Sequence, residues 1–307
     1  MKNFKYYLAA ISAFAIWGSF ALVLKPIHDW PSLDILFYRV FICAVVMSSI
    51  SLLFKRKKLA GNIRQFRELP AGRKRSIAWL NIAGSVFLTA NWLSFIFVMN
   101  HISVRATSVA YLICPILTTI LAFFILREKL TRLQWFSVAL SCLACVILSY
   151  NNLRNIVYST VIGLTYACYL ITQKSNQGFD KFLVLNVHML LSALVLIPFF
   201  PAFAGPVPVD LKFYGLVAVI AVAYTILPLF LNLYALGGIN SSSVGTLMNI
   251  NPIIVFVLSV AVYHEPLDSA QVFCYSLIFL AVVLFNISNF RQLQGKKSGQ
   301  TGETTAV

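Results

Sequence analysis

A guanidinium inside an apolar segment is the group whose placement most needs a chemical account. Arg39 follows Asp34 by five residues in the apolar run 35–54, so at 1.5 Å per residue it sits roughly 8 Å below the helix end. Two outcomes are open: the side chain snorkels to the interface, or it points into a cavity and pairs a substrate carboxylate or orders a polar network. Asp34 reaches it only by folding back one turn. His188 is the intramembrane group best suited to carry a proton. Asn91, Asn232, Asn249, Asn251, Thr118, Thr119 and Thr225 also fall inside apolar runs, where an unbonded amide or hydroxyl is costly, so they face the interior. Trp17, Tyr38, Trp92, Tyr111, Tyr166 and Tyr169 supply rings for an amphipathic solute. The expected cavity set is therefore Trp17, Tyr38, Arg39, Asn91, Trp92, Tyr111, Tyr166, His188, Thr225, Asn249 and Asn251.

Pro115 and Pro252 lie within apolar runs and lack the N–H that would bond the carbonyls of Tyr111 and Met248. At membrane depth such carbonyls need another helix, water or substrate. The two prolines are static kinks or paired hinges. No Asp or Glu lies in the interior of an apolar run. A buried carboxylate is what exchange of a cation against a proton generally needs, so neutral, zwitterionic or mildly anionic solutes fit better. Glu128 and Glu265 stand at helix ends as caps, gates or loop charges. No phosphate-binding loop, metal cluster or nucleophile–base pair is visible, which points away from an enzyme and from ATP-driven transport. No metal site or cofactor is expected. All six cysteines fall in apolar runs; Cys142 and Cys145 read as packing.

These residues are carried by ten apolar runs: 6–24, 35–54, 77–99, 104–126, 133–150, 156–172, 182–201, 213–235, 243–263 and 270–288. Most are near the ~20 residues that span a bilayer. Hydrophobic residues make up 60% of the chain and charged residues 11%, with a mean hydropathy of +0.84; a soluble domain cannot cover its surface with so little charge. Residues 55–76 read as the one substantial loop. Residues 106–146 return as 243–283 at an offset of 137, with Pro115, Glu128 and Gln134 matched by Pro252, Glu265 and Gln271. Three unlike residues in one register indicate two homologous halves. The division is 1–150, 151–290 and a disordered cytoplasmic tail, 291–307.

The net charge of +15 is spread between and beyond the apolar runs, so it implies no nucleic-acid partner. With the N-terminus in the cytoplasm, only Lys25, Arg39, Arg105, Arg154 and Lys212 of the 24 Lys and Arg fall outside or near the outer face. The positive-inside bias therefore places both termini in the cytoplasm. Each half has an odd number of spans, so the second is inverted relative to the first. The fold expected is an all-α polytopic membrane protein, ten transmembrane helices as two inverted five-helix repeats.

Several short pieces also resemble the EamA branch of the drug/metabolite transporter superfamily, and within it the RarD-like proteins. They are Ile16-Trp17-Gly18, Tyr38-Arg39-Val40, Asn91-Trp92, Tyr111 to Pro115 with Glu128 and Gln134-Trp135, Thr225 to Leu229, and Pro252 with Glu265. The pattern differs at Arg127 and His264, where a glycine is usual, and at Cys114. The resemblance implies a ten-helix secondary transporter of small organic solutes. The expected function is a bacterial cytoplasmic-membrane permease working by alternating access, with a lipid or polyprenyl head-group flippase as the rival. Its partners are a small organic solute, membrane lipid and protons as a candidate coupling ion, and it is expected to be a monomer or weak dimer.

Overall fold

A computed structural model of the protein describes residues 4–24, 30–101, 104–149, 153–262 and 269–302. His264, Glu265, the 150/151 boundary between the expected halves and residues 303–307 lie outside them. All regular structure among the described residues is helical, as it must be where no water can satisfy the backbone. The elements are α1 Phe4–Gly18, α2 Ala21–Leu24, α3 Ser32–Leu53, α4 Arg56–Glu68, α5 Ala71–His101, α6 Val104–Ile125 and α7 Arg132–Ser149. They continue with α8 Leu153–Ser175, α9 Lys181–Leu196, α10 Phe200–Phe203, α11 Leu211–Ala221, α12 Leu227–Leu236, α13 Ser241–Leu247, α14 Ile250–Ala261 and α15 Ser269–Gly302. A 3-10 turn at Ile197–Phe199 joins α9 to α10, and a π turn at Val222–Ile226 joins α11 to α12. Four stretches, Leu33–Leu53, Ile156–Ser175, Lys181–Phe203 and Leu211–Leu236, are long and apolar enough to cross a membrane. Each of the ten apolar runs is helical for most of its described length.

Helices from the two halves of the sequence interleave: α1 packs on α12, α6 on α8 and α13, and α7 on α15. The α6–α8 approach depends on Gly163, where an added Cβ would stand 3.2 Å from the Cys114 nitrogen and 3.3 Å from its Cα. Backbone cannot yield as a flexible side chain can. Gly163→Val is therefore expected to cost about 2 kcal/mol. An unchanged thermal midpoint in detergent would show that the two helices do not meet there.

Charged groups gather at one end. Lys55 and Lys58 pair with Asp180 at 3.6 and 3.5 Å, and Asp180 also caps α9 by accepting from the amides of Phe182 and Leu183. Burial opposes the charge of Asp180, but the Leu183 amide, the two lysines and the Phe182 amide outweigh it and hold the carboxyl below its ordinary range. Lys174 donates to the carbonyls of Leu236 and Ile239 at 2.8 and 2.6 Å. We call this the basic end. At the opposite end Asp34 is buried and accepts from the Gly205 amide at 3.0 Å.

Two sequence expectations change. Residues 55–76 are not a loop: α4 occupies most of them, and α5 begins at Ala71. Leu59, Ile63 and Phe66 recur at helical spacing among charged residues, a period easily lost in so polar a stretch. The expected disordered tail is helical as far as Gly302; its first residues, Arg291-Gln292-Leu293-Gln294, hold no glycine or proline to stop α15.

Candidate functional site

Three prolines interrupt helices of this chain at depth: Pro115 inside α6, Pro228 at the start of α12 and Pro252 at the start of α14. Each removes the N–H that would bond the carbonyl four residues earlier, leaving those of Tyr111, Tyr224 and Met248. All three of these residues line one cavity of about 100 Å³. The Tyr224 carbonyl is satisfied by the Trp17 indole, whose Nε1 donates at 2.9 Å. The Met248 carbonyl accepts from the Asn251 amide at 3.0 Å, where the chain breaks between α13 and α14. In the π turn the Thr225 hydroxyl donates to the Ile220 carbonyl five residues back, at 3.0 Å. Turns of this kind recur at functional sites because they free backbone polar groups.

Rings form most of the wall. Trp17 meets Tyr166 edge-on at 6.1 Å, Phe95 meets Tyr111 at 5.6 Å and Phe20 meets Tyr224 at 5.6 Å. Asn91 donates to the Ile162 carbonyl at 2.8 Å and so ties α5 to α8 beside the cavity. Arg39 lines the same space and does not snorkel away: its Cζ lies 4.8 Å from the centroid of the Trp92 ring, and its Nε is buried without a hydrogen-bond partner. Among the described residues no carboxylate forms an ion pair with it, and Asp34 is held by Gly205. For a partly buried guanidinium the cation–π contact supplies about 1 kcal/mol, less than two charge-assisted hydrogen bonds would. An anion beside Arg39 would supply both.

Of the expected cavity residues, the structure brings together Trp17, Arg39, Asn91, Trp92, Tyr111, Tyr166 and Thr225. It places four elsewhere. Tyr38 turns to the other face of α3 and packs edge-on against Phe200, Phe213 and Tyr214. Asn249 lines a separate small void with Pro115 and Thr119, because the chain break turns it away from Met248. Asn251 is buried against Gly18. His188 lies beyond the cavity on the basic-end side, edge-on to Tyr169 at 5.9 Å; Tyr169 in turn meets Tyr166 at 5.7 Å. Both imidazole nitrogens are buried without a partner, as are Tyr169 Oη, Gln173 Oε1 and Asn232 Oδ1. The cavity also takes in Phe20, Ile35, Leu36, Phe95, Tyr224, Leu229 and Met248. Tyr224 was discoverable, since it precedes Pro228 by the same four residues that mark Tyr111 before Pro115. The apolar members carry no signal in so apolar a chain.

A ring-lined internal cavity reached by broken helices is the arrangement in which secondary transporters hold their solute. The chain belongs to the EamA-like transporter family, which matches it twice, over residues 4–150 and 154–287. It is similar to the uncharacterized transporter YojE of Bacillus subtilis, 28% identical over 93% of this chain and 95% of that one. It is also similar to the protein RarD of Salmonella typhi, 24% identical over 91% of this chain and 93% of that one. A solved crystal structure shares the fold at 14% identity, with a TM-score of 0.70 over 94% of this chain and 98% of the other.

Proposed function

We propose that this transporter is a secondary carrier of a small organic solute bearing an aromatic ring and a carboxylate. The observation that carries this reading is Arg39, a guanidinium in a ring-lined cavity with no carboxylate partner among the described residues. The rings take the apolar part of the solute and Arg39 its anion, through the planar fork that matches a carboxylate. A cationic amine finds no counter-charge among the described residues there, none of which is an Asp or Glu.

The position of the cavity supports alternating access. Arg39 lies in the third turn of α3 and Tyr111 in the third turn of α6, so the solute enters from the end opposite the basic loops. Toward the basic end stand Tyr166 and Tyr169, Glu128, which accepts from the amides of Ser241 and Ser242, and Lys174 on the carbonyls of Leu236 and Ile239, and these close the path. With the basic end in the cytoplasm, this is an outward-facing form of a protein in the bacterial cytoplasmic membrane. Opening the basic end would put the unpartnered polar atoms of His188, Gln173 and Asn232 along the exit route and make His188 the place for a coupling proton.

Counterflow in proteoliposomes tests the reading. Vesicles loaded with an unlabelled aromatic carboxylate are expected to accumulate labelled tracer without an imposed ion gradient or ATP, well above protein-free vesicles. Exchange of aromatic amines, with none of carboxylates, would overturn it. The prolines make a separate prediction: Pro115→Ala and Pro252→Ala restore a backbone N–H and are expected to fold, yet shift accessibility of a cysteine at Leu36 toward opposite faces. Parental transport and accessibility in both would make them static kinks.

A further inference from the structure

The chain holds a second, several-fold larger space that solute transport does not use. It is a groove of about 740 Å³ walled by α3, α4, α5 and α9 at the basic end. Its lining is apolar, from Leu52, Ile63, Phe66, Ile82, Val187 and Leu190 among others, and Arg67 is the charged residue in it. The helix α4 that walls it has no buried residue although Leu59, Ile63 and Phe66 face the groove.

This helix is fixed in place. Lys55 and Lys58 reach Asp180, Gln65 donates to the Gly178 carbonyl at 3.3 Å, and Phe66 meets Phe179 at 6.4 Å. Pinned to the 176–180 turn in this way, α4 cannot collapse inward and fill the space with its own side chains.

Charge selects the occupant. Residues 55–75 hold nine Lys and Arg, and the one acid among them, Glu68, is already paired with Arg64 at 2.7 Å. We propose that the groove binds an anionic phospholipid, with an acyl chain along the apolar walls and the phosphate at Arg67. An apolar slot under a basic rim suits a negatively charged amphiphile. A second copy of this chain would bring the same rim and a net charge of +15 against it, and a neutral lipid makes no use of Arg67.

The test uses full-length protein in detergent, with dioleoyl phosphatidylglycerol and dioleoyl phosphatidylcholine as probes. Phosphatidylglycerol is expected to survive detergent exchange as one bound molecule in native mass spectrometry and to raise the thermal midpoint, while phosphatidylcholine does neither. Arg67→Gln should weaken phosphatidylglycerol binding about fivefold, the worth of one basic contact at a membrane surface. Ala78→Trp, which fills the groove from α5, should displace the lipid with Arg67 still present. Equal retention of both lipids, or unchanged phosphatidylglycerol affinity in Arg67→Gln, overturns the proposal. So does the same stabilisation by inorganic phosphate alone, or an acidic protein held on the groove in place of lipid.

Discussion

Arg39→Ala is expected to lower affinity for an aromatic carboxylate at least about 100-fold, roughly 3 kcal/mol, because two charge-assisted hydrogen bonds are lost at once. Arg39→Lys keeps the charge but not the fork and should retain part of the transport. The two states of the protein give this prediction an unusual signature. In the empty carrier Arg39 is a partly buried cation over the Trp92 ring, its Nε without a hydrogen-bond partner, so removing it relieves part of a desolvation cost. The thermal midpoint of ligand-free Arg39→Ala should therefore hold or rise while transport collapses. A residue of purely structural importance would lower both. A midpoint that falls with the activity, or an unchanged KM for the carboxylate, would count against Arg39 as the anion site.

The second large effect belongs to Glu128. Its carboxylate accepts from the amides of Ser241 and Ser242 at 2.7 and 3.1 Å and from the Ser242 hydroxyl at 2.6 Å, so a loop of the first half caps α13 of the second. Lys174 meanwhile holds the carbonyls of Leu236 and Ile239. An anion at the helix N-terminus and a cation at the preceding C-terminus are each favourably placed against the helix dipoles, and together they clamp the 237–240 turn. Glu128→Ala leaves two amides uncapped. At about 3 kcal/mol for the three bonds, an equilibrium between closed and open forms moves by roughly 150-fold. Glu128→Gln should act in the same direction, since its NH2 would face donors. A cysteine at Thr246, buried in the closed form, should become reactive from the basic end in Glu128→Ala. Unchanged labelling would reduce the clamp to an ordinary cap.

Much of this was legible before any coordinates. The apolar runs mark the helices because hydrocarbon leaves the backbone no alternative, and polar residues at depth stand out against them. Arg39, Asn91 and Thr225 were found for that reason, and Trp17 and Tyr111 for their rings. Tyr38, His188, Asn249 and Asn251 satisfied the same criterion and lie off the cavity. Depth along a helix is read from position, but the face it presents depends on which neighbour it packs against and on where its turns break. The π turn at Val222–Ile226 and the break after Met248 rotate everything beyond them, and no periodicity count includes such a rotation. The sequence leaves Glu128 as a cap, a gate or a loop charge, because its partners stand 113 and 114 residues away, a pairing set by tertiary packing. The Leu59, Ile63, Phe66 stripe of α4 was available at helical spacing and was masked by its charges.

A cation that selects its solute is tested most directly by equilibrium binding of two isosteric ligands to the purified carrier: an aromatic carboxylate and its primary amide. They share ring, size and shape and differ in charge. The carboxylate is expected to bind about 100-fold more tightly to the parental protein, with the difference abolished in Arg39→Ala. Equal affinities in the parental protein, or a carboxylate preference that persists without Arg39, would contradict it.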